Sequence, residues 1–292
     1  MQTFSTPVWA IAALCLLLGA QPARAEPRLL EVDGGQIAYE TCGEGKARAV
    51  VLLHDGVLGA AAFDEIWEPL CKRYHVVRFD RRGYGASPGA KGRYEATPDV
   101  AAVMKAAGMR RASLVGASSG GGLAVNFALA HPEMVERLVL IGASLNGYAY
   151  SDHWNSRNGY LISRAVIGDF SGLAREPHLF APKSDAARAR FAAILKANRG
   201  NLTAGNSMLT GPVAWPLLGE VSAPTLIITG EADMPDLHAE AGALAALIPG
   251  ARRIIMSDTG HYPYMERPQP FLKEVTRFLD QDAKPATAGS AG

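Results

Sequence analysis

The chain has 292 residues, of which 48% are hydrophobic and 20% charged, and a formal net charge of +1. That length is enough for one sizeable domain with an inserted subdomain. The near-neutral balance argues against nucleic acid or an anionic membrane as main partner, because both demand a clear basic excess.

An apolar run over residues 8–18 leads to Ala23-Arg24-Ala25, a small-x-small cleavage pattern. This predicts a secretory signal over residues 1–25 and a mature chain in the periplasm or outside the cell, although no Lys or Arg precedes the run. The run is shorter than the roughly 20 residues that span a bilayer, so no stable membrane insertion is expected after cleavage. Cys42 and Cys71 then remain, free to form one bridge or to stay two buried thiols.

Two short strands are expected over 29–41 around the turn Asp33-Gly34-Gly35. Ala49–Leu53 is a continuous apolar run, as in a strand buried on both faces. Helical spacing of Phe63, Ile66, Trp67 and Leu70 follows, then a strand over 76–79 and a turn-rich loop from Asp80 to Pro88. A helix over 98–107, a strand over 113–115 and a helix over 123–130 come next. Strands over 138–141, 225–229 and 253–256 and a closing helix over 270–279 complete the pattern. Alternating apolar strands and amphipathic helices predict an α/β fold with a mostly parallel sheet and helices on both faces. Reactive groups in such sheets gather beyond the carboxyl ends of the strands.

Beyond the strand at 113–115, the chain turns through Gly116-Ala117-Ser118-Ser119-Gly120 into a helix. A Gly-x-Ser-x-Gly at a strand-to-helix turn lifts the serine hydroxyl clear of the sheet, near the positive end of the helix. Only Ser118 has that spacing. The glycines lack the G-x-G-x-x-G and Lys-Ser/Thr signatures of nucleotide loops. Asp233 and His261 each follow a later strand, completing the order serine, acid, histidine. The hydroxyl needs a base to become a nucleophile, the imidazole is one near neutral pH, and the carboxylate fixes its tautomer. Asp236 reads instead as a helix cap, and Glu231 comes too soon after its strand. After Ala49–Leu53 come His54-Asp55-Gly56-Val57, whose amides can face a developing oxyanion. The N–H groups of Gly56 and Ser119 are the expected oxyanion hole.

Together the segments Leu52-Leu53-His54-Asp55-Gly56, Phe79-Asp80-Arg81-Arg82-Gly83-Tyr84-Gly85-Ala86-Ser87, Val115 to Gly121, Ile228 to Asp233 and Gly260-His261-Tyr262-Pro263 resemble the α/β-hydrolase superfamily, in its enol-lactonase, esterase and bromoperoxidase-like branch. The resemblance implies hydrolysis of a small carboxylic ester or lactone through an acyl-enzyme, with no cofactor. Asp55 departs from it, standing where a glycine is usual, and the stretch 93–109 is short for the helix before the nucleophile strand. Serine at 118 argues against the related dehalogenases and epoxide hydrolases, which carry aspartate there. No His-Glu-x-x-His or similar metal-ligand pattern occurs. The family's cap falls at 146–220, between core segments 26–145 and 221–282. Tyr148, Tyr150, Trp154, Tyr160 and Trp215 are candidates to line its pocket or to pack it onto the core. Arg157, Arg164, Arg188 and Arg190 suit either an anionic substrate or a solvated helix face, the latter being the expectation. Residues 283–292 are expected to be disordered. The alternatives to the esterase reading are a binding protein of the same fold with little turnover, and a perhydrolase or C–C hydrolase using the same site. The sequence does not disclose the oligomeric state.

Overall fold

The computed structural model describes residues 26–209 and 211–281. The leader expected over 1–25 and the disordered tail expected over 283–292 lie outside them. Eight strands form one sheet: β1 (Arg28–Val32), β2 (Gly35–Cys42), β3 (Ala49–Leu53), β4 (His75–Phe79), β5 (Ala112–Ala117), β6 (Val135–Ile141), β7 (Thr225–Gly230) and β8 (Arg252–Met256), in the spatial order β1-β2-β4-β3-β5-β6-β7-β8. β1 and β2 pair antiparallel, as do β2 and β4, and every pairing from β4 to β8 is parallel.

The helices are α1 (Asp64–Cys71), α2 (Thr97–Ala106), α3 (Ser119–Ala130), α4 (Asp152–Val166), α5 (Phe170–Leu173), α6 (Asp185–Ala197), α7 (Asn201–Ala204), α8 (Pro235–Leu247), α9 (Pro263–Glu266) and α10 (Pro268–Leu279). Every expected strand is present, with bounds shifted by at most a few residues. The helix expected to start at 123 begins at Ser119, directly after the serine turn.

The period of two along β3 builds a core on each face of the sheet. Val50 and Leu52 join Ile66 of α1 and Phe271 of α10 on one side. Val51 and Leu53 join Val100 of α2, Phe127 of α3 and Leu244 of α8 on the other. Each such side chain contributes about 1.5–3 kcal/mol relative to exposure, which is why these runs lack alternating polar residues.

The loop after β4 is fixed by buried polar groups. Asp80 accepts from the amides of Ala60 (2.7 Å) and Ala86 (3.0 Å), and the Ser87 hydroxyl donates to the Asp80 carbonyl (2.5 Å) while accepting from the Ala38 amide (2.8 Å). Arg82 forks onto Asp99 of α2, Nε to Oδ2 at 2.8 Å and Nη2 to Oδ1 at 2.6 Å. Losing one partner of a buried pair leaves the other uncompensated, so this loop has little freedom.

Between β6 and β7 the chain leaves the sheet and forms α4 to α7, with α5 packed on both α4 and α6. α8 ties this segment to the core. Asp236 accepts from the Ser151 amide (2.8 Å) and hydroxyl (2.9 Å), and Glu240 from the Leu145 amide (2.8 Å) and Tyr150 hydroxyl (2.9 Å). Asp236 is therefore not the cap of its own helix, as the sequence suggested. α8 starts one residue earlier, with Met234 in the cap position and Pro235 leading the first turn. Among the described residues no helix is long and apolar enough to cross a membrane.

Cys42 ends β2 and Cys71 ends α1, and the two form a disulfide with Cα atoms 5.5 Å apart. The bridge lies beside the start of β4, at the end of the sheet opposite the serine turn. Protein isolated without reductant should yield no titratable thiol from these two residues after denaturation, and two thiols would contradict the bridge. Replacing both with Ser should lower the unfolding free energy by about 3–4 kcal/mol, the chain-entropy value for a loop of this length.

Candidate active site

Ser118 sits between β5 and α3 at φ 51°, ψ −121°, a backbone conformation unfavourable for a side chain of L configuration. Its amide donates to the Ile141 carbonyl at 2.8 Å, and its own carbonyl accepts from Gly121 (2.8 Å) and Ser144 (3.2 Å). The flanking glycines serve close approach. A Cβ at Gly116 would lie 2.4 Å from the Gly120 carbonyl oxygen, and one at Gly120 would lie 2.2 Å from that of Leu53. The positive φ belongs to the serine itself, and the small residues let the start of α3 press against the ends of β3 and β5.

Asp233 follows β7 and His261 follows β8. His261 Nδ1 is 3.1 Å from both carboxylate oxygens of Asp233. The Nδ1–H therefore donates to the carboxylate, and Nε2 is left as the basic nitrogen. Burial opposes the imidazolium, but the charge and hydrogen bond of Asp233 outweigh it, and the pKa of His261 rises above the ordinary value. Asp233 is held in turn by the Met234 amide, 2.8 Å from Oδ1. At the end of β6, Gly142 leaves room for the pair, since a Cβ there would stand 2.9 Å from both Asp233 Oδ2 and His261 Nδ1.

Several positioning residues were not singled out from the sequence. The His261 amide donates to the Leu179 carbonyl at 2.9 Å. Glu266 of α9 accepts from the amides of Gly260 (2.7 Å) and Ala181 (2.8 Å) and from the Ser184 hydroxyl (2.5 Å), so one side chain holds both the histidine loop and the segment before α6. The acid five residues after the histidine was the available signal.

The loop after β3 is oriented by groups that converge on one peptide. The Arg81 amide donates to His54 Nε2 (2.9 Å), so the ring carries its proton on Nδ1, which donates to the Asp55 carbonyl at 2.7 Å. Burial first, and the charge of Arg81 second, hold His54 well below the ordinary imidazole pKa and keep that tautomer. Arg81 Nη2 donates to the same carbonyl at 2.5 Å and to Ser119 Oγ at 3.1 Å. The Tyr84 hydroxyl donates to the Gly56 carbonyl at 3.0 Å. A doubly held Asp55 carbonyl fixes the plane of the peptide that carries the Gly56 N–H. The Val57 amide, counted among the available donors from sequence, is taken by Asp55 Oδ1 at 2.7 Å, with the Leu58 amide at 3.0 Å. Burial raises the Asp55 carboxyl pKa, and the two amides, His261 and Arg81 only partly offset it.

Gly56, Ser118, Asp233 and His261 line one cavity of about 700 Å³. Ser119 does not: its side chain turns to Arg81, and it borders a separate pocket of about 160 Å³. A Cβ at Gly56 would nonetheless lie 3.4 Å from Ser119 Oγ, so the two residues are neighbours. α4 lines the same cavity from Trp154 to Val166, with Trp154, Arg157, Leu161 and Ala165 among its lining residues at helical spacing. Of the five aromatics named from the sequence for the expected cap, only Trp154 lines it. Tyr150 stacks on Trp154 with centroids 4.3 Å apart, and Tyr148 packs between Tyr150 and Trp215. Aliphatic spacing on α4 was the better signal for the pocket wall.

The four arginines noted from sequence all have carboxylate partners. Arg157 forks onto Glu176 with two bonds of 2.6 Å, and Arg164 meets Asp169 (2.5 Å), Arg188 Asp185 (3.4 Å) and Arg190 Asp64 (2.7 Å). Their charge is balanced within the protein, which speaks against an anion site, while Arg157 and Arg188, with side chains 10% and 17% exposed, are too buried for the solvated face expected from sequence.

A family model described as alpha/beta hydrolase fold matches residues 49–268. The chain belongs to this family. A 2-hydroxy-6-oxononadienedioate/2-hydroxy-6-oxononatrienedioate hydrolase of Klebsiella pneumoniae subsp. pneumoniae is 30% identical to the α/β hydrolase described here over 290 residues, 89% of this chain and 97% of the relative. A pimeloyl-[acyl-carrier protein] methyl ester esterase of Chromobacterium violaceum is 28% identical, covering 84% and 98% of the two chains. Among solved structures, the enol-lactonase of Burkholderia xenovorans LB400 aligns with this α/β hydrolase at a TM-score of 0.72 and 25% identity, over 87% of this chain and all (100%) of that one. The relatives of this α/β hydrolase are thus esterases, lactonases and C–C hydrolases.

Proposed function

We propose that this α/β hydrolase cleaves carboxylic esters or lactones by nucleophilic catalysis at Ser118. The observation that carries the reading is the His261–Asp233 hydrogen bond in a cavity shared with the strained Ser118 turn. Ser118 Oγ bonds to the carbonyl carbon as its proton passes to His261 Nε2, and the carbonyl π electrons move onto oxygen. The amides of Gly56 and Ser119 receive that negative charge, an effect typically worth about 100- to 1,000-fold in turnover per donor. The C–O bond to the leaving group then breaks, and His261 returns the proton to the departing alkoxide. Water, deprotonated by His261, then attacks the acyl carbon; the bond from that carbon to Ser118 Oγ breaks, His261 returns the proton to Oγ, and the acid leaves. Asp233 keeps the Nδ1–H in place and stabilises the imidazolium. In a lactone the alkoxide stays attached to the acyl group, so one hydroxy acid leaves.

A second reading is C–C bond hydrolysis by the same residues, as the name of the Klebsiella relative suggests. A higher kcat/KM for a 6-oxo-dienoate than for p-nitrophenyl butyrate would favour it.

The proposal includes export. It is supported by the leader pattern at 1–25 and by the Cys42–Cys71 bridge, a linkage that persists in oxidising compartments. N-terminal sequencing of protein recovered from its native cells should begin at Glu26, and an intact Met1 would contradict export.

Ser118→Ala should lower p-nitrophenyl butyrate turnover by about 10⁴-fold or more, and near-normal activity would refute the assignment. The base must be neutral, and the His261 pKa is raised. The acid limb of kcat/KM should therefore fall as pH drops through a midpoint above about 6.5. Asp233→Asn should move that midpoint down. A profile flat from about pH 5 to 8 would contradict the role of His261.

A further inference from the structure

Asp55, where the resemblance leads one to expect glycine, is 1% exposed and lines the cavity beside Gly56 and Ser118. One carboxylate oxygen is fully used, since Oδ1 accepts from the Val57 and Leu58 amides. The other, Oδ2, is buried without a hydrogen-bond partner among the described residues. Of the buried polar atoms in that condition, it is the one whose residue lines this cavity. A carboxylate oxygen stripped of water and given no donor is costly to keep, and the two amides on Oδ1 prevent the side chain from swinging out to solvent.

We propose that Asp55 Oδ2 accepts a hydrogen bond from the substrate, which selects esters or lactones bearing an N–H or O–H on the carbon next to the scissile carbonyl. The inference rests on the reading of Ser118 and Gly56 as nucleophile and oxyanion donor, because Asp55 precedes Gly56 directly and so stands beside the carbonyl that Gly56 receives. A neutral donor fits better than a cation. Arg81 is bonded to the Asp55 backbone, the charge of His261 already acts on the Asp55 carboxyl, and Arg157 is balanced by Glu176. The remainder of such a substrate should be an apolar chain, since Leu161, Ala165, Phe170, Leu173 and Phe191 form the far wall.

The donor also matters for the chemistry. An unrelieved carboxylate next to Gly56 would oppose the growing oxyanion, and a substrate N–H on Oδ2 draws that charge away. Esters without the donor leave the oxygen orphaned and face the repulsion as well. Sites built around a substrate donor discriminate strongly against analogues that lack it.

The test uses Ser118→Ala protein and calorimetric binding of two intact esters. Methyl N-hexanoylglycinate carries the amide N–H, and methyl 4-oxononanoate has a methylene in its place. The amide ester should bind about tenfold or more tightly. Adding Asp55→Asn keeps a side-chain oxygen for the Val57 and Leu58 amides but puts an NH₂ donor at the Oδ2 position, and the preference should vanish or reverse. Equal binding of the two esters, no measurable binding of the amide ester at millimolar concentration, or a preference that survives Asp55→Asn would each overturn the proposal. None of these readouts depends on turnover. Persistent hydrolysis by Ser118→Ala would instead defeat the nucleophile reading while leaving the binding preference as measured.

Discussion

Close backbone packing at the end of β5 governs the site. Ser118 adopts φ 51° because its amide and carbonyl are held by Ile141, Gly121 and Ser144, while Gly116 and Gly120 let the start of α3 lie against β3. A Cβ at Gly116 or Gly120 would stand 2.4 or 2.2 Å from a backbone oxygen, so these segments would have to move apart. The same approach that strains the serine places Ser119 beside Gly56, so the proposed nucleophile and the amides proposed to meet the oxyanion are set by one contact. Strain of this kind costs of order 1–3 kcal/mol and persists only where surrounding structure over-determines it. Parallel pairing of β3, β5 and β6, buried on both faces, provides that surrounding structure.

Around this turn the electrostatics are divided between two histidines with opposite tasks. His54 is buried without a carboxylate and receives the Arg81 amide, so it stays neutral and acts as a fixed donor to the Asp55 carbonyl. His261 has Asp233 behind it, which raises its pKa despite burial and suits it to hold a proton transiently. Both follow strand ends, and it is the partner on the first ring nitrogen that separates an orienting group from a base.

The strands were readable because burial on two faces requires continuous apolar runs, and Ser118, Asp233 and His261 stood out because each follows such a run. What stayed hidden shares one physical character: side chains bonded to backbone far away in sequence. Arg81 reaches the Asp55 carbonyl across 26 positions, and Glu266 reaches the Ala181 amide across 85. No local pattern announces such bonds. The aromatics of the 146–220 segment could line a pocket or pack against the core, and no local pattern decides between the two. Aromatic composition marks a place that buries large rings, while Tyr148, Tyr150 and Trp215 bury them against one another rather than in the cavity. Asp55 was visible as a departure, but only the unpartnered oxygen gives that departure chemical content.

This geometry is proposed to make one serine hydroxyl a nucleophile. The most direct test is reaction of the intact protein with a fluorophosphonate, followed by fragment-ion mass mapping that separates Ser118 from Ser119. A single adduct on Ser118 is expected, formed faster as pH rises through the titration of His261. An adduct on Ser119 or another residue, or no adduct at all in folded protein, would contradict it.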